Sequence, residues 1–269
     1  MKEGARGGTT GSSAFFWQVV HLARRSVVRT ARQPASVIPS LLFPMMLLAV
    51  NSGGLRSATH LPGFPTDSFL SFALAVPFIQ GALFATMNAG TDLARDIQTG
   101  FLNRLSLTPM RGSALLAGQL AGVVVMGLCQ SVFYLAVGLA VGAGFASGPA
   151  GAVVLLLLAA LIVVGFGAVG AMMALRTGSG EAIQGLFPIL FVFLFLSSMN
   201  MPRNLIQVDW FRIVATANPV SYLIEGVRSL IITGWNGEAL ALAFGVASAL
   251  AVVALTAASL SLRARLART

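Results

Sequence analysis

The residues of this sequence that could do chemistry are few, and two stretches bring several of them together. One stretch covers residues 91–111 and the other covers residues 201–236, and both combine carboxylates with arginines. Such side chains form ion pairs and charge-assisted hydrogen bonds, within a chain or with a partner. Neither stretch holds a histidine or a cysteine. Their composition therefore favours recognition over catalysis.

No catalytic or metal site is predicted. His21 and His60 are the only histidines, and no cysteine or carboxylate accompanies them in the pattern of a metal or nucleophilic site. Cys129 lies in an apolar run and is interpreted as a small buried hydrophobe. Lys2 is the only lysine, so the lysine of a phosphate-binding G-x-x-x-x-G-K loop is missing. We expect no enzyme activity of this chain by itself, and no metal or cofactor in it.

The composition is that of a membrane protein. Hydrophobic residues make up 57% of the 269 residues and charged residues only 9%, whereas soluble domains carry about 25% charged residues. The mean hydropathy is +0.86. A span needs about 20 apolar residues, so six spans with short loops use nearly the whole chain. We predict an all-α polytopic membrane protein with six transmembrane helices and no second soluble domain.

The apolar runs divide the chain into a small polar tail at residues 1–13, an amphipathic helix at 14–34, a six-span domain at 35–262 and a basic tail at 263–269. The predicted spans are residues 35–55, 68–90, 113–145, 150–175, 183–199 and 239–262. The first span contains Pro39 and Pro44, which are tolerated where neighbours satisfy the freed carbonyls. Gly118 with Gly122, and Gly138 with Gly142, are spaced to let helices approach closely in lipid.

The helix predicted near the N-terminus has two unlike faces. Gln18, His21, Arg25, Arg29 and Arg32 lie on one face, and small and apolar residues lie opposite. Such a helix lies on a membrane surface rather than crossing it. An exposed helix packed on a soluble partner is the alternative.

The basic residues predict the orientation. With six spans and the N-terminus inside, thirteen of the seventeen lysines and arginines fall on the inner side. Positive residues favour the cytoplasmic side, so both termini are predicted to be cytoplasmic in the inner cell membrane. The net charge of +9 then reflects topology and not nucleic-acid binding.

The stretch at 91–111 is predicted to be a short cytoplasmic helix. Leu93, Ile97, Phe101 and Leu105 fall on one helical face, and Pro109 ends the helix. Such a helix could sit in a groove of a cytosolic partner and transmit its movement. An interfacial helix that only supports the bundle is the alternative.

The second stretch, on the predicted outer side, contains a segment that is too short to cross a membrane. After Pro219 the segment is apolar as far as Ile232, which predicts a re-entrant helix. Glu225 and Arg228 stand three residues apart on one helical face and are predicted to pair. An exposed pair that contributes little is the alternative.

These two motifs resemble those of type 2 ABC exporter permeases, and the daunorubicin-type drug-exporter permeases in particular. The resemblance covers Phe15 to Arg265 and rests on the run from Asp96 to Pro109 and on Asn218-Pro219 with the residues that follow. The family's loop commonly has a Glu-Arg-Glu and Gly-Thr order, where this chain has Ala94-Arg95-Asp96 and Thr99-Gly100-Phe101. The acidic charge is thus kept in shorter form.

The resemblance implies a transmembrane subunit of an exporter, driven by separate ATPase subunits that bind ATP and Mg, with a second permease chain as partner. It implies an N-terminal interfacial helix, a cytoplasmic coupling helix and outer re-entrant helices before the last span. The implied coupling residues are Asp96, Gly100, Phe101, Arg104, Leu105 and Pro109. The implied outer gate comprises Asn218, Pro219, Tyr222, Glu225 and Arg228.

The implied substrate is hydrophobic or amphipathic, such as a drug, a glycolipid or another lipid. By the family's architecture the second and fifth spans line its path, with Phe78, Phe84, Met87, Phe187, Phe191 and Phe195. Phenylalanines that face lipid or only pack are the alternative. An ion-coupled transporter would need ionisable residues inside the spans, and the predicted span interiors contain none. A membrane assembly protein remains compatible with the composition.

Overall fold

The computed structural model describes residues 10–101 and 112–267, and this part of the chain is all helical. Its helices are α1 (Thr10–Ala31), α2 (Pro34–Gly54), α3 (Phe69–Ala73), α4 (Val76–Gln98), α5 (Gly112–Ala140), α6 (Gly148–Thr177), α7 (Gly180–Phe195), α8 (Asp209–Ala217), α9 (Pro219–Ile232) and α10 (Gly237–Leu266). Short 3-10 turns at Arg56–His60 and Arg203–Leu205 connect some of them.

Five segments are long and apolar enough to cross a membrane. They are Pro34–Gly54, Phe69–Gln98, Ser113–Ala140, Gly148–Thr177 and Gly237–Leu266. They correspond to five of the six predicted spans. The predicted fifth span, residues 183–199, is represented by α7, which has only 16 residues because the helix ends at Phe195. Length and composition alone therefore support five spans.

The helices meet at two ends of the bundle, and hydrogen bonds identify each end. At one end, Gln98 Nε2 donates to the carbonyl of Gly178 at 3.1 Å, and Arg265 Nη1 donates to that of Leu175 at 2.8 Å. The last turns of α4, α6 and α10 thus come together. We call this the arginine end.

The other end, called here the opposite end, joins different parts of the same helices. Ser147 Oγ donates to the carbonyl of Leu230 at 2.7 Å, and the amide of Gly144 donates to Ser71 Oγ at 3.0 Å. The start of α6, the region just beyond α5, and helices α3 and α9 therefore lie together.

The centre of the bundle is built on α4 and α6. A Cβ at Gly170 would stand 2.1 Å from the carbonyl oxygen of Thr86, so only glycine allows this approach. Thr86 Oγ1 donates to the carbonyl of Phe166 at 2.9 Å across the same contact. Close backbone packing of this kind stabilises helix pairs where lipid supplies little hydrophobic drive.

The carbonyl freed by one of the two prolines in the first span is satisfied by a neighbouring helix, as the sequence predicts. Pro44 has no amide hydrogen, so the carbonyl of Ser40, four residues earlier, loses its helical donor. The hydroxyl of the fully buried Tyr134 donates to that carbonyl. Gln130 Nε2 also donates to Ser40 Oγ at 2.7 Å.

The predicted glycine contacts are confirmed at three of four positions. At Gly118 and Gly122 of α5 an added Cβ would lie 2.5 Å and 2.4 Å from the Cβ atoms of Leu22 and Ser26, so α1 packs directly along α5. At Gly138 an added Cβ would lie 2.5 Å from Leu74. Gly142 instead has no close neighbour among the described residues, and its φ of 98° serves a turn.

One prediction about this helix is wrong. Cys129, expected to be buried, is exposed on α5.

Candidate functional site

A cluster of four charged side chains joins α1 to α4 at the arginine end. Arg25 Nη2 and Arg29 Nη1 each lie 2.9 Å from Asp96 Oδ1, and Arg29 Nη2 lies 2.9 Å from Asp92 Oδ2. Residues four apart share one face of a helix, so each helix presents two like charges to the other. We call this set the four-charge cluster.

The carboxylates of this cluster are buried more deeply than one of the arginines. The side chain of Asp96 is 5% exposed, whereas that of Arg25 is 41% exposed. Burial alone would lower the pKa of Arg29, but the attraction of Asp92 and Asp96 outweighs it and raises the pKa. Arg29 therefore stays charged and holds both carboxylates together.

The chain turns directly after this cluster. Gly100 has a φ of 70°, a left-handed conformation that favours glycine, and its amide donates to the carbonyl of Ile97 at 3.1 Å. Among the residues that the structure describes, apart from its two chain neighbours, none has an atom within 4 Å of the place of its missing Cβ. The ring of Phe101 lies 3.9 Å from Arg25 Cζ, a cation–π contact that extends the cluster. Arg104, Leu105 and Pro109 lie outside the described residues.

The predicted short helix does not begin near residue 91, because residues 91–98 form the end of α4 and so share one helix with the second span. Its part beyond Phe101 lies outside the described residues. Leu93 is buried in a core with Leu115 and Leu116, and Ile97 packs against it. The apolar face of this segment therefore serves the chain's own core, and pairing with arginines allows Asp92 and Asp96 to be buried.

At the opposite end, Arg228 is buried and binds backbone carbonyls. Its Nε, Nη1 and Nη2 atoms each donate over 3.0 Å, to the carbonyls of Phe72, Ser198 and Met199. The ring of Phe72 lies under the guanidinium, 3.6 Å from Cζ to its centroid. Arg228 thus ties the end of α3 to the non-helical segment that follows α7.

The predicted pairing of Glu225 with Arg228 does not occur. Glu225 accepts from Arg203 Nε at 2.8 Å, and the guanidinium of Arg203 also lies 4.5 Å above the ring of Tyr222. Arg228 binds instead to the backbone carbonyls near the end of α3 and after the end of α7. Sequence reasoning missed Arg203, because no fixed spacing links a loop residue to a helix 22 positions later.

Asn218 and Pro219 form the joint between α8 and α9. Asn218 Oδ1 accepts from the amide of Val220 at 2.9 Å and caps α9, and Pro219 takes the first helical position. Asn218 Nδ2 donates to the carbonyls of Phe193 and Leu196, at 2.6 Å and 3.0 Å, where α7 ends.

Four of the six residues predicted for a substrate path are connected by aromatic contacts. Ring centroids are 5.2 Å apart for Phe84 and Phe187, 4.6 Å for Phe187 and Phe191, and 6.2 Å for Phe191 and Phe195. Phe43 of α2, which the sequence analysis missed, contacts Phe84 and Phe191. We call these five residues the aromatic stripe.

The other two residues lie elsewhere. Phe78 is buried against Tyr134, 6.0 Å between centroids, and so lies apart from the stripe. Met87 lines a cavity of about 340 Å³ that begins at Phe84 and Phe187 and reaches Asp92 and Arg95. This cavity therefore has an aromatic side and a charged side.

Comparison with known proteins places the chain in a family. The model of the ABC-2 type transporter family matches residues 18–232, which include the four-charge cluster, the aromatic stripe and Arg228. This chain is an ABC-2 type transporter permease. The resemblance stated from the sequence motifs is confirmed.

Individual relatives of this ABC-2 permease agree with that assignment. A daunorubicin resistance ABC transporter permease protein of Streptomyces coeruleorubidus is 28% identical, over 77% of this chain and 72% of that protein. A probable doxorubicin resistance ABC transporter permease protein of Mycobacterium tuberculosis is 21% identical, over 85% and 82%. A putative transport permease of Porphyra purpurea is 25% identical, over 81% and 76%.

The ABC-2 permease is thus a multi-pass membrane protein and the transmembrane subunit of an ABC transporter. Both sites described above lie within the matched region.

Proposed function

We propose that this permease exports a hydrophobic or amphipathic molecule across the cytoplasmic membrane, driven by ATP hydrolysis on a separate subunit. The four-charge cluster carries the proposal. It fastens α1 to the last turns of α4, the helix at the centre of the bundle, directly before residues 102–111. Force applied to that segment by an ATPase would reach α4 and α1 together.

The proposed path of force is a rigid-body one. Helix α4 is continuous for 23 residues, and its contact with α6 at Gly170 leaves no space for sliding between them. A displacement at Gln98 would therefore move the centre of the bundle. Interfaces packed in this way shift between discrete arrangements rather than bending continuously.

The proposed topology has six crossings, with both termini in the cytoplasm. Helix α7 begins two residues after Gly178 at the arginine end, and Asn200, just beyond α7, accepts from Asn51 Nδ2 at 3.4 Å at the far end of α2. These contacts support α7 with its non-helical extension as the sixth crossing. The arginine end is then cytoplasmic, as the distribution of basic residues favours.

The short helices before the last span support a re-entrant hairpin that closes the outer side. Pro219 and Val220 line an apolar cavity together with Leu83, Leu190 and Val253, which are interior positions of long or apolar helices. The other end of α9 contacts Ser147 at the opposite end. The joint between α8 and α9 therefore dips into the bundle.

The proposed substrate path follows the aromatic stripe. At Phe84 and Phe187 the stripe opens into the 340 Å³ cavity, which offers an apolar surface beside charged and amide groups. An amphipathic molecule would meet both kinds of surface there. The relatives named for daunorubicin and doxorubicin resistance support a drug or lipid-like substrate of this class.

The proposed partners are two ATPase subunits, which hold ATP and Mg, and a second permease chain, identical or related. Ion-coupled transport is less well supported. Asp92 and Asp96 lie on the same helix as a span, but arginines neutralise both of them.

Co-reconstitution tests the proposal. The permease and its ATPase are placed in proteoliposomes, and uptake of a fluorescent cationic or lipid-like amphipath is followed on addition of ATP. We expect uptake with both subunits and Mg-ATP, and none with either subunit alone. Uptake by the permease alone under an ion gradient would contradict it.

A further inference from the structure

A cavity of about 610 Å³ with several charged lining residues lies at the opposite end, between the segment after α7, helices α8 and α9, and the start of α10. Arginines dominate its charge. Arg203, Arg212 and Arg228 line it, and Glu225 is the one carboxylate among the lining residues that the structure describes. The lining therefore carries an excess of positive charge.

Two of these arginines have carboxylate partners and the third has none in the described part of the chain. Arg203 pairs with Glu225, and Arg212 pairs with Asp209. Arg228, the most deeply buried of the three, forms no such pair and binds only the three carbonyls. Glu225, which is already bound to Arg203, is the one carboxylate recorded as attracting Arg228 in the described part of the chain. A buried charge with so little compensation is costly, so the site favours an added anion.

The guanidinium of Arg228 has donors to spare. It carries five N–H groups, and three hydrogen bonds to carbonyls are present in the described structure. The stacked ring of Phe72 fixes the plane of the group. The remaining donors therefore have a defined direction, as oxyanion recognition requires.

The start of α10 adds to the positive potential. Asn236, which caps this 30-residue helix, and Ala239 in its first turn both line the cavity. A helix N-terminus attracts negative charge through its free amides and its dipole. In α10 Asn236 Oδ1 already accepts from the amide of Ala239 and Glu238 lies in the first turn, so the contribution comes from the dipole and the remaining amides. Ser229 and Thr233 place hydroxyl-bearing residues on the same wall.

We propose that this cavity binds an anionic oxygen group, a phosphate or a carboxylate, between Arg228 and the start of α10. The group could belong to an anionic lipid headgroup or be a free anion, and both supply the same chemistry. The proposal depends on the geometry of this end and not on the direction of transport.

Tryptophan fluorescence tests the proposal, because Trp235 is exposed directly beside Asn236. The permease with its ATPase, in phosphatidylcholine nanodiscs, is titrated with dihexanoyl phosphatidylglycerol, with dihexanoyl phosphatidylcholine and with inorganic phosphate. We expect a saturable change with phosphatidylglycerol, with phosphate or with both, and none with phosphatidylcholine. W235F should abolish the signal.

Variants separate a built site from general charge attraction. R212Q, at the rim, should weaken the anion about threefold, and R228K, which keeps the charge but loses the planar fork, about tenfold. R56Q removes an arginine outside the cavity at the same end and should have no effect.

Saturation by phosphatidylglycerol alone identifies a lipid headgroup, and saturation by phosphate alone identifies a free anion. Equal responses to both lipids, or unchanged affinity in R212Q, would overturn the proposal. If R228K is not recovered folded, R212Q against R56Q still decides. Failure of ATP-driven uptake would leave this result unaffected, so the two proposals fail separately.

Discussion

The two ends of this permease hold their arginines in different ways. At the arginine end, Arg25 and Arg29 of α1 meet carboxylates of α4, so side chains of two separate helices form the contact. At the opposite end, Arg228 meets three backbone carbonyls. One contact can exchange partners by rotamer changes, whereas the other is fixed to the main chain.

In this Discussion we call the contact of Arg25 and Arg29 with α4 the joint, because it can move, and the contact of Arg228 with the three carbonyls the anchor, because it is fixed. An ion pair between helices can break and re-form when one helix moves, particularly where Arg25 is partly exposed to solvent. The guanidinium of Arg228 is bound to carbonyls at two places where helices end, and it holds both places in position. We infer that movement enters at the arginine end and that the contact around Arg228 stays fixed.

The largest effect is expected at the anchor. Replacing Arg228 with methionine keeps much of the side-chain volume but leaves three buried carbonyls without this donor. The loss should reach about 3 kcal/mol or more, since each hydrogen bond to a charged group contributes about 1.5–3 kcal/mol. Thermal unfolding in detergent measures it, with R212M as a matched control at an exposed pair. Equal unfolding temperatures for the two variants would show that the carbonyl contacts of Arg228 do not stabilise the fold as proposed.

The next effect concerns the joint. D96N should cost about 1–2 kcal/mol of stability, below the value for a fully buried pair because Arg25 is partly exposed. Transport and its coupling to ATP hydrolysis should fall, because α1 is released from α4, while membrane insertion and the proposed dimer persist. ATPase activity and uptake are measured together, and D209N serves as the control at an exposed pair. Normal coupled transport by D96N at wild-type abundance would place coupling elsewhere.

The hydrogen bond from Tyr134 to the carbonyl of Ser40 lies between the two ends, and its contribution to stability provides a reference for the three bonds of Arg228. Y134F removes the hydroxyl that binds the Ser40 carbonyl and should cost about 1–2 kcal/mol. P44A supplies an amide to the same carbonyl, so Y134F should cost less in that background. Unfolding of the four proteins in this cycle gives the coupling. Y222F, which loses an exposed hydroxyl contact with Thr216, should be nearly neutral. An unchanged cost of Y134F in P44A would show that Tyr134 acts otherwise.

The smallest effect on stability is expected for Phe101. F101A removes the cation–π contact with Arg25 and should cost about 0.5–1 kcal/mol. We expect its effect on coupled transport to exceed its effect on unfolding, because the same ring is predicted to contact the ATPase. F16A, at an exposed ring of α1, is the control. Parallel small losses in both measurements would make Phe101 a packing residue only.

The sequence predicted features that follow from local pattern. Hydropathy located the long spans, small-residue spacing located the face of α5 that packs closely although not its partner α1, and Asn218-Pro219 marked a helix start. Pairings between distant segments could not be read in this way. Neither the reach of α1 to Asp96 nor the pairing of Arg203 with Glu225 leaves a periodic signal. The three-residue spacing of Glu225 and Arg228 even predicted the wrong partner. The carbonyls that bind Arg228 become available only where helices end, and the sequence does not show that they lie beside it.

The difference between joint and anchor is tested most directly by distances measured in both nucleotide states. In a C129S background, one pair of spin labels is placed at Arg24 and Thr99, beside the four-charge cluster, and another at Asn204 and Thr233, beside Arg228. All four positions are exposed. The distances are measured by double electron–electron resonance, for the complex without nucleotide and with ATP trapped on the ATPase. We predict a changed distance for the first pair and an unchanged one for the second. A fixed first pair with a displaced second pair would contradict the account.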